Sequence, residues 1–527
     1  MIAPEETIPR LVLAAAERHA ERSALEDGAR KLSFPELADA GLRAAAAFHA
    51  SGVRRGDRVA VWGPNQWEWV VAAIGLQGAG AALVPLNTRM KGGEAAYILN
   101  KSRAKWLCTV AEFLGNRYVE MLRTEQLPAL EGIVSLRGRA EGAQDFEEFL
   151  RRGDAMPRAR ARELFLAVEP DDLSDIMFTS GTTGRPKGVM TSHAQNMQVY
   201  NVWSETVGLR RGDRYLVIGP FFHGFGYKAG WLAGLICGAT ILPQAVFEPE
   251  AVLERVARER ITVMPGPPTI YQTLLALPGR EKYDTSSLRL AVTGAAAVPV
   301  ELVHRMRSEL GFESVITAYG LTETSGTVSI CRQDDPPETI ATTSGRAIPG
   351  VEVRCVDADG KPVPSGQPGE ILVRGYNNMK GYLDDPEETA KTIDAEGWLH
   401  TGDVGVMDAR GYLQITDRLK DMFINGGFNC YPAEIEGAIF EHPDVAEVAV
   451  IGIPDERMGE VGMAFVVPRP GAAIDPGALV AWCREKMANY KVPRRIELLR
   501  ELPRNPSGKV QKFELRKRVQ PAAGGTA

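Results

Sequence analysis

Two α/β layers built on largely parallel sheet, then a β-rich stretch and a small α+β domain, form the architecture this sequence predicts. Three observations carry it. Strand-length apolar runs alternate with helical patterns through the first four hundred residues, and such alternation argues for parallel sheet covered by helices. Between about 345 and 420 the texture changes to short strands with turn signals, as in "VEVRCVDADGKPVPSGQPGEILVRG". After "DRLKD" a fresh α+β pattern begins.

The elements follow in chain order. "MIAPEETIPRLVLAAAERHAERSALE" reads as an amphipathic first helix, because Glu5 and Glu6 stand where a signal peptide would be basic and the apolar run is only LVLAAA. "RVAVWG" predicts a strand and "QWEWVVAAIGLQGAG" the helix after it. "AGWLAGLICGATIL" at 229–242 is shorter than the ~20 residues a bilayer crossing needs and is interrupted by glycines, so it predicts a buried helix running into a strand. "PEAVLERVARER" and "TIYQTLLAL" predict helices, with "ITVMPGPP" a strand between them. Beyond 420 the helices are "YPAEIEGAIFEH" and "DPGALVAWCREKMANY", and the strands "VAEVAVIGIP" and "GMAFVVPR". This places an N-terminal domain at 1–419, with its β-rich subdomain at about 345–419, and a C-terminal domain at 420–517. The tail, 518–527, ends in "QPAAGGTA", which has nothing to bury and predicts disorder.

A chain of 527 residues exceeds what one hydrophobic core supports. Its 44% apolar and 24% charged content is that of a soluble globular protein, and a net charge of −6 gives no general electrostatic reason to bind nucleic acid or acidic lipid. The six cysteines lie far apart without a CxxC pair, so neither a zinc site nor a disulfide framework is indicated and a cytoplasmic enzyme is expected.

Five stretches carry chemistry-bearing residues. "FTSGTTGRPKG" at 178–188 offers backbone, hydroxyls and cations suited to phosphate, but Gly184 is followed by Arg185 rather than lysine, so it is not a Walker A loop. "TAYGLTE" at 317–323 ends the strand "ESVI" with an aromatic, a glycine, a hydroxyl and a carboxylate; it also reads as a plain strand-to-helix connection capped by Thr322. "LHTGD" at 399–403 offers a carboxylate for a ribose diol or a routine turn. "ITDRLKD" adds Arg418, and "PRNPSGKVQK" adds Lys509 on a turn, where a solvated charge is the plain alternative.

In order and spacing these stretches together resemble the adenylate-forming superfamily: acyl-CoA synthetases, firefly-type luciferases and the adenylation domains of peptide synthetases. The resemblance runs from about residue 8 to 517. It implies that Thr179, Ser180, Gly181, Thr182, Thr183, Gly184 and Lys187 close over the β- and γ-phosphates of ATP while a carboxylate attacks the α-phosphorus. It further implies that Glu323 holds Mg²⁺, that Tyr319 and Gly320 lie against adenine, and that Thr322 contacts the α-phosphate. Asp403 and Arg418 would bind the ribose, Lys509 would bridge the reacting oxygens, and Lys420, two residues after the ribose arginine, would be the hinge of a mobile C-terminal domain. Attack by one anion on another needs such an array of donors and cations.

The branch follows from "PFFHGFGYKAG", 220–230. It lacks the aspartate with which amino-acid-selecting domains pair the substrate ammonium, and His223 matches the gate of acyl-CoA synthetases or is a satisfied core histidine. Gly426 and Gly427 of "FINGGFNCYPAEIE" resemble the loop that shapes the pantetheine tunnel, so the acceptor is expected to be free coenzyme A. Pocket candidates are Phe222, Tyr227, Lys228, Ala229, Thr293, Gly294 and Ala295, with Lys228 meeting a substrate ketone or simply solvated. The runs "MPGPPTIYQ" and "LRLAVTGAAAVPV" resemble the actinobacterial ligases that activate a steroid-ring-derived propanoate, with a medium- or long-chain fatty acid as the alternative substrate, and a luciferase-like oxygenase or a non-catalytic nucleotide-binding regulator as the alternative activities. The partners implied are thus the acid, ATP with Mg²⁺, and CoA, with no nucleic acid and no membrane span; a homodimer is left open.

Overall fold

The computed structural model describes residues 5–179, 186–294, 298–418, 421–425, 428–455, 457–487, 489–504 and 510–519. By packing, the chain divides into two compact units. The first comprises 1–353, 373–399 and 411–413, and the second 354–372, 400–410 and 414–527. The β-rich stretch is therefore shared out between the units, where the sequence put it wholly in the N-terminal domain and the single boundary at 420.

The first unit is built on an eight-stranded sheet in the order Gly381–Tyr382, Lys187–Ser192, Leu173–Thr179, Ala82–Pro85, Arg58–Trp62, Trp106–Val110, Gly132–Arg137 and Gln144–Asp145. From Leu173–Thr179 onward through Gln144–Asp145 the pairings are parallel, as the alternating pattern predicts. The helix Trp67–Gly78 is buried on all sides from Glu68 to Gly78, which is why its sequence lacks a polar face. Gly75 is required there: a Cβ would lie 2.4 Å from Ala44 Cβ on the helix Phe34–Ala50.

A second sheet lies in the same unit. One half runs Arg214–Val217, Thr240–Pro243, Ser23–Asp27, Arg30–Ser33, and the other Leu290–Gly294, Ser314–Tyr319, Ser329–Ile330, Arg346–Ala347. Val263 joins the halves through single parallel bridges to Tyr215 and Leu290. The expected strand "ITVMPGPP" is thus reduced to one bridged residue; its three prolines lack the N–H a ladder needs. The expected helix at 229–242 also differs. It opens as a π-helical turn, Tyr227–Leu232, before the α-helix Ala233–Cys237 and the strand Thr240–Pro243.

Most of a four-stranded sheet, Val351–Val356, Pro368–Gly375, Leu399–Met407, Leu413–Arg418, falls in the second unit, with residues 351–353, 373–375, 399 and 413 counted in the first. The second unit also holds a five-stranded sheet in which Val445–Asp455 and Gly459–Pro468 form a long antiparallel pair and Arg495–Leu498 adds in parallel. One apolar cluster includes Ile435 and Ile439 of the helix Pro432–Phe440 and Leu479 and Cys483 of Pro476–Lys486. A separate one includes Leu515 of Lys512–Val519. Val519 packs against that second cluster, so residues 518 and 519, expected in the tail, close the last helix.

Candidate active site

The strands Leu173–Thr179 and Lys187–Ser192 pair antiparallel with Thr179 opposite Lys187, so the phosphate-loop candidate is the connection of a sheet hairpin. Of that loop, Ser180, Gly181, Thr182, Thr183 and Gly184 lie outside the described residues, as do Ala295, Lys420, Gly426, Gly427 and Lys509.

Glu323 sits in the 3₁₀ turn Thr322–Thr324 after the strand Ser314–Tyr319. The cap of this turn comes from Thr324, whose hydroxyl accepts from Leu321 N–H at 3.0 Å, and not from Thr322, which is partly exposed at the turn's start. Gly320 is needed because a Cβ would lie 2.3 Å from the Gly326 carbonyl oxygen. Glu323 Oε1 accepts from the Tyr382 hydroxyl at 3.0 Å and from Thr179 Oγ1 at 3.4 Å. Burial, and then the charge of Glu323, push the Tyr382 phenol far up, so it stays protonated and donates. Lys187 pairs with Glu388 and its ammonium lies 5.0 Å from the centre of the Tyr382 ring.

Thr179 and Glu323 are in contact and Lys187 is joined to them through Tyr382, so these three candidates lie together with two residues the sequence reading missed. Tyr382 is carried in by pairing of Gly381–Tyr382 with the Lys187 strand, opposite Val189. Glu388 lies on the helix Pro386–Thr392, where the Asp385 side chain caps the Glu388 N–H at 3.1 Å. The available signal was "GYLDDPEET", a helix start with an N-cap aspartate and a carboxylate three residues on.

Tyr319 and Thr293–Gly294 end adjacent parallel strands, in the register Thr293↔Thr317 and Gly294↔Ala318. Ligands of open α/β sheets gather at such C-terminal strand edges. Thr293 is buried and, among the described residues, its hydroxyl finds no partner, which leaves a polar atom for water or ligand.

The 220–230 segment divides at Gly226. His223 is exposed, so the core-histidine reading fails. Its Nδ1 accepts from Phe225 N–H at 3.2 Å, which leaves the proton of the neutral ring on Nε2. Enough protein surrounds the ring that desolvation lowers its pKa. Phe222 is half-buried. Tyr227, Lys228 and Ala229, by contrast, are buried inward. Tyr227 stacks on Trp231 with centroids 4.9 Å apart, and its hydroxyl accepts from Gln77 at 2.9 Å. Lys228 is neither solvated nor open to a substrate ketone: its ammonium is 3.0 Å from Asp175 Oδ1 and 3.0 Å from Thr191 Oγ1. Asp175 also accepts from Thr191, Ser174 and Asn196 at 2.7, 2.8 and 2.6 Å.

In the second unit, Asp403 is buried within the strand Leu399–Met407 and its N–H donates to Thr401 Oγ1 at 3.1 Å. The turn reading of "LHTGD" fails, since the strand is continuous, with Gly402 at φ 66°. Arg418 ends the adjacent strand Leu413–Arg418; its side chain lies outside the described set. Among the described residues no group of three or more His, Cys, Asp or Glu gathers as a metal site, and no helix is long and apolar enough to cross a membrane. A single carboxylate flanked by a hydroxyl, as at Glu323, suits Mg²⁺, which is commonly held by one or two carboxylates together with substrate phosphates.

A doubly layered α/β unit whose hairpin lysine and strand-end carboxylate converge, followed by a smaller α+β unit, is the class that fold and site define. The sequence model of the AMP-binding enzyme family matches residues 12–383, that of its C-terminal domain matches 434–509, and the chain belongs to this family. It is 54% identical over 516 residues to the 3-[(3aS,4S,7aS)-7a-methyl-1,5-dioxo-octahydro-1H-inden-4-yl]propanoyl:CoA ligase of Rhodococcus jostii (strain RHA1), covering 97% of this chain and 98% of that one. The ligase of the same name from Mycobacterium tuberculosis (strain ATCC 25618 / H37Rv) is 49% identical over 517 residues, covering 98% and 99%. In structure the chain is similar to the anthranilate CoA ligase AuaEII in complex with anthranoyl-AMP, with TM-score 0.87, 30% identity, and 98% and 97% of the two chains covered.

Proposed function

We propose that this chain is an ATP-dependent carboxylic acid:CoA ligase whose acid is the bicyclic dioxo-indenyl propanoate. The observation that carries the reading is identity of 54% along nearly the whole length to the Rhodococcus ligase of that substrate. The convergence of Thr179, Lys187 and Glu323 supports it, because an acyl carboxylate approaching a triphosphate needs its charge offset.

In the first half-reaction a carboxylate oxygen bonds to the α-phosphorus and the α–β P–O bond breaks, releasing pyrophosphate. In the second the CoA sulfur bonds to the acyl carbon, AMP leaves with the C–O electron pair, and the thiol proton goes to solvent. Lys187 and the 179–184 hydroxyls and backbone hold the β- and γ-phosphates, Thr322 the α-phosphate, Tyr319 and Gly320 the adenine, and Asp403 and Arg418 the ribose. Glu323 would hold Mg²⁺, which would supply neutralisation of phosphate charge. Lys509 serves adenylation, Gly426 and Gly427 border the pantetheine path, and rotation at Lys420 exchanges the two. With Tyr227, Lys228 and Ala229 turned into the core, His223, Phe222, Thr293 and Gly294 are the described pocket candidates for the acid.

The test is a panel of acids assayed for AMP and acyl-CoA. The bicyclic propanoate is expected to exceed octanoate in kcat/KM by more than the ~10–200-fold that one methylene commands. Equal or better turnover of straight chains would replace the steroid-derived acid by a fatty acid.

A further inference from the structure

Lys187 is placed to meet phosphate, yet in this structure its charge is already answered. Its ammonium pairs with Glu388 and lies over the Tyr382 ring, while the Tyr382 hydroxyl donates to Glu323, so one aromatic residue touches both the lysine and the carboxylate of the site. Neither member of the pair is sealed off: 14% of the Lys187 side chain and 27% of Glu388 remain accessible. Glu388 has a second cation within reach: Lys391, one helical turn on, pairs with Glu387 at 3.2 Å and stands 3.9 Å from the other Glu388 carboxylate oxygen.

We infer that Glu388 is an internal counter-anion of the nucleotide site, which occupies Lys187 until a polyphosphate displaces it and so keeps nucleotide and pyrophosphate from binding too tightly to turn over. The inference rests on the proposed role of Lys187 as the phosphate cation. A phosphate oxygen and the Glu388 carboxylate compete for the same three N–H donors, so each bond the lysine gives to one is withheld from the other. On release the carboxylate turns to Lys391 and is not left unpaired. Tyr382 is a positioning residue in the same arrangement: its ring lies against the ammonium, and its hydroxyl fixes the Glu323 carboxylate.

The prediction has a sign opposite to that of an ordinary loss of contact. In the full-length enzyme Glu388→Gln should bind MgATP and inorganic pyrophosphate more tightly by about tenfold, the factor that one modest charge-assisted contact commands. The KM for ATP should fall, and kcat should fall with it as pyrophosphate leaves more slowly. The effect must travel through Lys187, so Glu388→Gln in a Lys187→Met background should change affinity little. Titration calorimetry with MgATP and with pyrophosphate, beside steady-state kinetics, reads all four species, with the thermal midpoint of each showing that it is folded. Unchanged or weaker binding by Glu388→Gln would overturn the proposal, as would tightening that persists without Lys187. The underlying reading fails separately: it is lost if Lys187→Met alone leaves ATP affinity unchanged. Should Glu388→Gln prove unfolded, Lys391→Met is the second probe. By taking away the alternative partner it should weaken ATP binding, and no change there would also overturn the proposal.

Discussion

Two lysines stand against the same hairpin, and their surroundings are opposite. Lys228 is 1% exposed and Asp175 fully buried, and that carboxylate is satisfied by donors from Ser174, Thr191 and Asn196 as well as by the lysine. Lys187 has one carboxylate, one ring and a margin of solvent. Both are close ion pairs, but they cannot do the same job. A fully desolvated pair adds little net stability, because removing two charges from water costs as much as their attraction returns; what it does is make every alternative arrangement expensive. The Lys228 network draws Gln77, the two hairpin strands, Asn196 and the Tyr227–Leu232 turn into one arrangement. A partly exposed pair keeps its exchange partner within reach. Burial, more than distance, separates a fixed lysine from an exchangeable one.

The comparison breaks most visibly at Lys228. Lys228→Met leaves Asp175 buried and unpaired and should cost ~3–5 kcal/mol of unfolding free energy in denaturant titration. Adding Asp175→Asn should recover part of that, since the stranded charge goes with it. A single-mutant loss below ~1 kcal/mol would mean that Lys228 is as exchangeable as its neighbour.

His193 sharpens the same contrast with a titration. It is buried beside the network, its Nδ1 accepts from Ile8 N–H at 3.4 Å, and burial pulls its pKa from 6.5 down to about 4 against the opposing charges of Asp175 and Asp172. The unfolded chain takes up this proton near pH 6.5 and the folded one only near 4. Stability therefore falls as pH drops through that window, by up to about 1.4 kcal/mol per pH unit, and does not change above it on this account. Wild type minus His193→Asn, measured by urea unfolding from pH 4 to 7, should show that slope. A flat difference would mean that solvent reaches the ring.

The smallest effect belongs to Glu388. Because its pair is partly exposed, Glu388→Gln should change unfolding free energy by less than ~1 kcal/mol while its nucleotide affinity shifts. A loss as large as that of Lys228→Met would place both lysines in one class.

The sequence made the long elements legible because their periodicity is uninterrupted: Trp67–Gly78, Pro249–Glu259 and Val445–Asp455 lie where the apolar patterns put them. It made the convergence at Thr179, Lys187 and Glu323 legible through motif order. It did not show the π-helical turn, which has no composition of its own, nor the partner of Lys228, which a lone lysine in an apolar run cannot name. Tyr382 and Glu388 were illegible for a different reason. They enter the site through strand pairing and a short capped helix distant in sequence, and each alone is an ordinary residue.

The interleaving of the two compact units, which exchange chain at 353/354, 372/373, 399/400, 410/411 and 413/414, bears on heredity and on engineering alike. A unit assembled from three separate segments is not lifted out by a single genetic crossover. A recombination point between 354 and 418 would hand a chimera half of a sheet whose other half evolved with a different parent. Productive exchange with a relative should therefore fall outside that interval, and the strands carrying Asp403 and Arg418 would be inherited together or not at all.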